Sequence, residues 1–266
     1  MIERMKGRDD RMGESKTNAY LMQSVQKAIV VLRAFSKEEP RLSLTELHKK
    51  TGMSVASLQR FIATLVHEGF LHKDEKTKQY QLGLALVFLG RQVEEDSSIL
   101  TAAKPVLQRL NEEIGESVSL NILDGNERRC LFNLDSKYSL SARAYVGDRA
   151  PLYAGASAKS LLAFLPDEQI TAYLQDVVFE PITNHTIVDM GQLEKQLVEI
   201  RTLGYAKSKS ERVLGASSVS APILAGPRQP IASITIVIPE VRYDQYDENY
   251  LIALVKNTAS QIQYQF

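Results

Sequence analysis

The chain has 266 residues, 44% hydrophobic and 24% charged, which is material for two ordinary cores and excludes a disordered or fibrous protein. Its 32 basic and 32 acidic side chains cancel, but residues 1–98 carry 16 basic against 13 acidic, so a polybasic binder is excluded and DNA binding is not. The single cysteine, Cys130, excludes an internal disulfide and a cysteine-built zinc site, and no run of about 18 apolar residues offers a membrane span.

The first residues are charged with no apolar core behind them, so no signal peptide is expected and the cytoplasm is the expected compartment. Residues 1–20 read as a disordered lead-in. Ser24 is the expected cap of a scaffold helix with Val25, Ala28, Ile29, Leu32 and Phe35 on one apolar face, closing before Pro40. Ser43 and Glu46 have capping-box spacing, Leu44 and Leu47 follow at helical spacing, and Gly52 supplies the stop. Ser54 opens a second helix whose buried face is expected to be Val55, Leu58, Ile62, Leu65 and Val66. Ser54, Ser57, Gln59 and Arg60 then face outward. Two helices about a tight glycine turn, the second with a polar leading edge, make the helix-turn-helix pattern over residues 43–62, whose second helix enters the DNA major groove. Gly69 ends that helix. Phe70–His72 and Gln79–Leu82 flank a polar tip with Lys73, Lys76 and Lys78, which predicts a hairpin wing over residues 70–82 and a winged domain over 21–83. The plainer alternative is a small helical core with a charged turn.

Residues 84–97 are expected to form a linker helix, too apolar for a free connector. Helical spacing resumes from Ile99 to Gly115, with a kink or restart expected near Pro105. From Ser117 the period becomes two: a strand to Leu123, a turn at Asp124-Gly125-Asn126, a strand at Cys130–Leu134 and a third at Leu140–Val146. A small-residue helix follows over Ala154–Leu165, then helices at Asp167–Leu174 and Gly191–Leu203. Strands are expected at Tyr205–Val213, Ser217–Leu224 and Ile231–Ile238, and a last helix at Tyr246–Tyr264. Residues 98–266 thus read as one α+β domain.

Catalysis finds no support there. Of four histidines, His48, His67 and His72 lie in the winged unit, leaving only His185 for the second domain. No nucleophile–base pair, metal-ligand cluster, phosphate loop or cofactor motif is legible, and Cys130 alternates with apolar residues as a buried inert thiol does. Two stretches differ from ordinary core. Pro151–Ser160 is a helix start of Gly, Ala and Ser whose free N–H groups would attract a carboxylate, and Glu211–Ile223 sets serine hydroxyls among apolar walls. Each could equally serve tight helix–sheet packing; together they favour a ligand pocket.

Three motifs, LSLTELHKKTGMSVASLQRFIATLVHEGFL, GDRAPLYAGASAKSLLAFLP and GYAKSKSERVLGASSVSAPI, follow one another in an order and spacing similar to the IclR family of bacterial transcription regulators. The resemblance runs from about Met22 to the end. It implies a winged helix-turn-helix joined by a helix to a GAF-like effector domain with a six-stranded antiparallel sheet. It also implies homodimers, commonly paired as dimers of dimers, on palindromic double-stranded operators, and control by small molecules, often carboxylates or aromatic catabolites. Matching by motif puts effector-binding positions on Ala156 and Ser157, on or beside Ser208, and on Ser218, Thr235 and Val237. Two departures stand out. Lys207, Ser208 and Lys209 occupy a stretch where the family usually carries acids, and Ala158 replaces its usual glycine.

The expected protein is therefore a non-catalytic regulator, without cofactor or metal, that binds DNA through Ser54, Ser57, Gln59, Arg60, Lys73, Lys76 and Lys78. Repression is the commoner expectation from the resemblance. Activation of a catabolic operon, or a winged helix that binds protein rather than DNA, are the alternatives.

Overall fold

The computed structural model describes residues 20–265, so all but Tyr20 of the expected lead-in lies outside the described residues. The chain divides into two compact units between Asp96 and Ser97.

Unit 1 is built on α1 (Gln23–Arg33), α2 (Leu44–Thr51) and α3 (Val55–His67), a hairpin of β1 (Leu71–Lys73) and β2 (Tyr80–Leu82), and α4 (Ala85–Asp96). The capping box forms at α2: Glu46 Oε2 accepts the Ser43 N–H at 2.7 Å, and Ser43 Oγ accepts the Glu46 N–H at 3.3 Å. Gly52 closes α2 at φ 67°, a left-handed conformation that glycine adopts without steric penalty. Val31, Phe35, Leu47, Leu58, Ile62 and Leu65 meet in one core, joined by Leu42 and Leu71. Leu42 also pairs with Tyr80 through two backbone hydrogen bonds of 2.9 and 2.8 Å, which adds a bridge to the wing. The wing is tied off where Gly83 crosses Gly69: a Cβ at Gly83 would stand 2.0 Å from the Gly69 carbonyl oxygen.

Three expectations in this unit are corrected. Ser24 lies inside α1, whose N-cap is Met22 without a side-chain cap. The buried face of α1 is Val31 with Ala28 and Leu32, followed by Phe35 just past the helix, while Val25 and Ile29 stay exposed, because packing on α3 selects a face rotated from the one the spacing suggested. Val55, at the open end of α3, is exposed rather than buried.

Unit 2 is a six-stranded antiparallel sheet with helices on both faces. Its elements are α5 (Ser98–Ile114), β3 (Ser117–Asp124), β4 (Glu127–Leu134), β5 (Arg149–Pro151), α6 (Ala156–Leu162), α7 (Asp167–Asp176), α8 (Met190–Leu203), β6 (Ala206–Lys209), β7 (Ala216–Gly226), β8 (Gln229–Pro239), α9 (Glu240–Tyr243) and α10 (Glu248–Gln263). The spatial order is β5-β4-β3-β8-β7-β6. Alternation along the central strands sorts the side chains. Val118 and Leu120, Val219, Ala221 and Ile223, and Ile234, Ile236 and Ile238 face α5 and α10 and form the larger core. Their neighbours on the other face are Ser119 and Asn121, Ser218 and Ser220, and Ser233, Thr235 and Val237. A second core joins α6, α7 and α8 through Leu162, Ile170, Leu174, Leu193 and Leu197.

Helix α5 continues through Pro105, so of the kink or restart expected there the restart does not occur. Two further expectations fail here, each for a local reason. Leu140–Val146 is not a strand: Ala144 is buried, but Leu140 and Val146 are 59% and 66% exposed, so the alternation buries no continuous face, and the chain turns at Gly147 and Asp148 to give the short β5. The strand expected to reach Val213 stops at Lys209. Ser210 takes φ 55°, its Oγ accepts the Gly215 N–H at 2.7 Å, and residues 210–215 turn back toward β7.

Candidate functional site

The outer face of unit 1 is that of α3. Ser54 Oγ accepts the N–H of the half-buried Ser57 at 3.4 Å and caps the helix, so the Ser54 hydroxyl is committed in part to the backbone. Gln59 and Arg60 are exposed one turn further on, beside Val55 and Ala56, and Arg60 makes no ion pair among the described residues. In the wing, Asp74 Oδ1 accepts the N–H groups of Lys76 and Thr77 at 2.8 and 3.1 Å and fixes the turn. Glu75 sits between two of the three lysines, 3.2 Å from Lys73 and 2.8 Å from Lys78. Lys76 alone of the three has no acidic partner among the described residues. The seven expected DNA contacts thus share one unit, and among the described residues Ser57, Gln59, Arg60 and Lys76 present side-chain polar groups without internal partners there, Ser57 from a half-buried position.

In unit 2 the polar face of the sheet meets the start of α6 and the turn 210–215 around a cavity. Register sets its floor. Ser119 lies opposite Thr235, Ser208 opposite Ser218, and Ser218 opposite Val237. Ala156 and Ser157 close it from α6. All six residues expected at an effector site therefore line one cavity of about 40 Å³. Hydrogen bonds fix the floor: Asn121 Nδ2 donates to Ser119 Oγ at 3.1 Å and to Thr235 Oγ1 at 3.3 Å, and Thr235 Oγ1 donates to Ser220 Oγ at 3.0 Å.

The helix start differs from its expectation in one respect. Glu211 Oε2 accepts the Gly155 N–H at 3.0 Å, so one of the N–H groups anticipated for a ligand is already taken by a side chain of this chain. The other Glu211 oxygen accepts from Lys159 Nζ at 2.5 Å, and Gln196 accepts from the same nitrogen at 2.8 Å. Burial pushes the Lys159 ammonium down, and the Glu211 carboxylate offsets part of that shift.

Sequence reasoning missed the cavity's charged residues. Arg128 reaches it from β4 and Arg212 from the turn 210–215, and Arg143 from the loop that replaces the expected strand. Arg128 is 1% exposed; its Nη1 donates to the Asp148 carbonyl at 3.3 Å, and its buried Nε has no partner among the described residues. Burial, and then the positive charge of Arg212, lower the Arg128 guanidinium to about 10. Burial lowers Arg212 as well, offset in part by the Asp148 carboxylate. The signal for Arg128 was a charged residue at an inward position of a strand, masked by its neighbour Arg129.

Among the described residues no group of His, Cys, Asp and Glu could hold a metal, and no helix is long and apolar enough to cross a membrane. Cys130 is buried and its thiol is raised to about 11, chiefly by burial.

Comparison with known proteins covers both units. The family profile of the IclR helix-turn-helix domain matches residues 24–75, and that of the bacterial transcriptional regulator IclR C-terminal domain matches residues 92–264. HTH-type transcriptional regulator KipR of Bacillus subtilis is 35% identical over 239 residues, covering 90% of this chain and 95% of that protein. The transcriptional repressor IclR of Escherichia coli is 26% identical over 220 residues, covering 82% of this chain and 80% of that one. A solved IclR homologue from Microbacterium hydrocarbonoxydans, complexed with 4-hydroxybenzoate, shares the fold with TM-score 0.81 at 20% identity, covering 91% of this chain and 98% of that one.

Proposed function

This chain belongs to the IclR family of bacterial transcriptional regulators, and from that membership we propose that it represses transcription from a palindromic operator under the control of a small organic acid. It is a helix-turn-helix regulator, not an enzyme. Repression is supported by relatives such as the Escherichia coli repressor. The observation that carries the effector reading is the cavity of unit 2, in which hydroxyl groups, the buried Arg128 guanidinium and the half-buried Arg212 converge. Such a lining suits a carboxylate, and a homologue of the same fold holds one, 4-hydroxybenzoate.

On DNA, Gln59 and Arg60 of α3 read base edges, Ser54 and Ser57 support the approach of the helix start, and Lys73, Lys76 and Lys78 of the wing engage phosphates. A second copy of the chain doubles this surface. Helix α4 buries none of its residues yet carries Val87, Phe88, Leu89 and Val93, and α1 leaves Val25, Ile29 and Val30 exposed. Apolar surface of that extent calls for a partner, and a two-fold pair matches the symmetry of a palindrome. Pairing of dimers into a tetramer follows the family pattern. The effector acts by binding more tightly to one arrangement of the two reading helices than to the other, with α4 as the lever between the units. The cytoplasm is the compartment this requires.

The test is anisotropy or gel-shift binding to the DNA upstream of the chain's own coding region, over a salt series, with and without small carboxylates and phenolic acids. Tight, salt-sensitive binding that one acid releases is expected. Binding that the acid strengthens would replace repression with activation or co-repression. Absence of DNA binding by folded oligomer, on this fragment and on a selected random-sequence pool, would overturn the operator reading.

A further inference from the structure

The proposed acid-binding cavity is more cationic than one carboxylate needs. Three arginines line it and no acidic side chain does. Arg143 is tied to the loop, donating to Ser141 Oγ at 3.2 Å and standing 3.9 Å from Asp135. Arg128 and Arg212 have no ion pair among the described residues. Asp148 lies within electrostatic reach of both, but its Oδ2 accepts the Tyr145 N–H at 2.8 Å and bridges neither. Arg212 thus sets a positive charge at the same cavity that opposes that of Arg128, which is 1% exposed and whose Nε has no partner among the described residues. An unpaired buried charge is costly, and a second beside it is more so. A guanidinium presents a planar fork of donors that suits a carboxylate in two-point contact.

We propose that the ligand of this cavity is a compact aliphatic dicarboxylate, one carboxylate received by Arg128 and the other by Arg212, with the Ser119 and Ser218 hydroxyls between them. The assignment rests on the effector reading above and deepens it. Size points the same way. An apolar cavity that binds benzene measures about 150 Å³, whereas this one has about 40 Å³. A short chain can enter with a modest outward movement of residues 142–144, while an aromatic ring needs that loop displaced. The two arginines also fit the departure noted in the sequence: where the family usually carries acids, this chain has Ser208 against the cavity and basic residues around it.

The experiment is calorimetric titration of the full-length protein at fixed ionic strength with oxalate, malonate, succinate and glutarate. The monoanions acetate, propionate and 4-hydroxybenzoate, and inorganic phosphate, are the comparison arms. One dicarboxylate should bind at one per chain, at least about tenfold tighter than the monocarboxylate of matching length, because a second charge-assisted pair is made. Arg212→Gln, at a half-buried position, should abolish that preference without lowering the thermal unfolding temperature of the free protein, since it relieves a like-charge contact. Arg128→Lys is the second variant and should weaken dicarboxylates more than monocarboxylates. Monocarboxylates binding as tightly as dicarboxylates, phosphate binding more tightly than either, or a preference that survives Arg212→Gln would each overturn the assignment. The operator assay separates the two levels. If 4-hydroxybenzoate binds and releases DNA, the dicarboxylate assignment fails and the effector reading stands. If no acid binds and DNA binding ignores them all, both fail.

Discussion

Lys159 Nζ stands 2.5 Å from Glu211 Oε1, with the two side chains 0% and 8% exposed. Because the other Glu211 oxygen holds the Gly155 N–H, this pair joins the turn 210–215 to the start of α6, and so clamps two walls of the cavity together. Removing one partner strands a buried charge. Glu211→Gln or Lys159→Met should therefore each lower stability by about 3–5 kcal/mol, whereas the double variant should recover much of the loss. Urea unfolding of the four proteins checks this. Equal, additive losses would show that the two side chains act separately.

Arg60 is exposed on α3, so its replacement should spare the fold. Arg60→Ala should leave thermal unfolding unchanged and weaken operator affinity by about 1–3 kcal/mol if the guanidinium reads a base edge. Competition against mismatched operators distinguishes the contact: a base-reading arginine loses discrimination at one position, a phosphate-binding one loses affinity on all sequences alike. Unchanged affinity would remove Arg60 from the interface.

Glu75 makes the wing less cationic than its lysines suggest, since Lys73 and Lys78 both lean on it. Exposed pairs of this kind are weak and yield to phosphate contact. Glu75→Gln should therefore strengthen DNA binding on any sequence. Lys76→Ala should lower the slope of log affinity against log salt by about 0.9, the value for one phosphate contact. A Glu75→Gln protein that binds no tighter would place the wing away from the DNA.

How much of this was legible followed the range of the interactions. The capping box at Ser43 and Glu46 acts within four residues, so the helix it starts could be read directly. Period-two alternation along β3 could likewise be read directly, and the motif match named Ser208, Ser218 and Thr235 together, which strand register brings to one face. What stayed hidden depended on distant partners. Val25 and Ile29 have the spacing of a buried face, but α3 takes the face holding Val31. Leu140–Val146 alternates like a strand, but the two backbone bonds that Cys130 of β4 makes on this side go to Gly147 and Asp148, at the turn beyond it. Arg128 and Arg212 lie 84 positions apart in sequence, and nothing local shows that a strand and a turn will aim them at one cavity.

Cys130 offers a measurement on the interior of unit 2. Its Sγ lies 3.5 Å from the Phe132 carbonyl oxygen, and burial raises the thiol from 9.0 to about 11. Only the thiolate is an effective nucleophile, so alkylation at pH 8.5 should be slow in the native protein and fast once urea exposes the residue. The same shift has a stability consequence. In the unfolded chain the thiol ionises from pH 9.0, while the folded protein keeps its proton until about pH 11. Across that window the unfolded state binds fewer protons, so stability falls as pH rises. Tyr173, raised from 10.0 to about 12, gives a decline of the same sign over a higher window. Comparing wild type with Cys130→Ala isolates the thiol: the variant should be less stable at neutral pH, where a packed sulfur is lost, and should lose less between pH 9 and 11. Parallel pH profiles for the two proteins would mean that the thiol titrates alike in both states, and that the β4 interior is open to water.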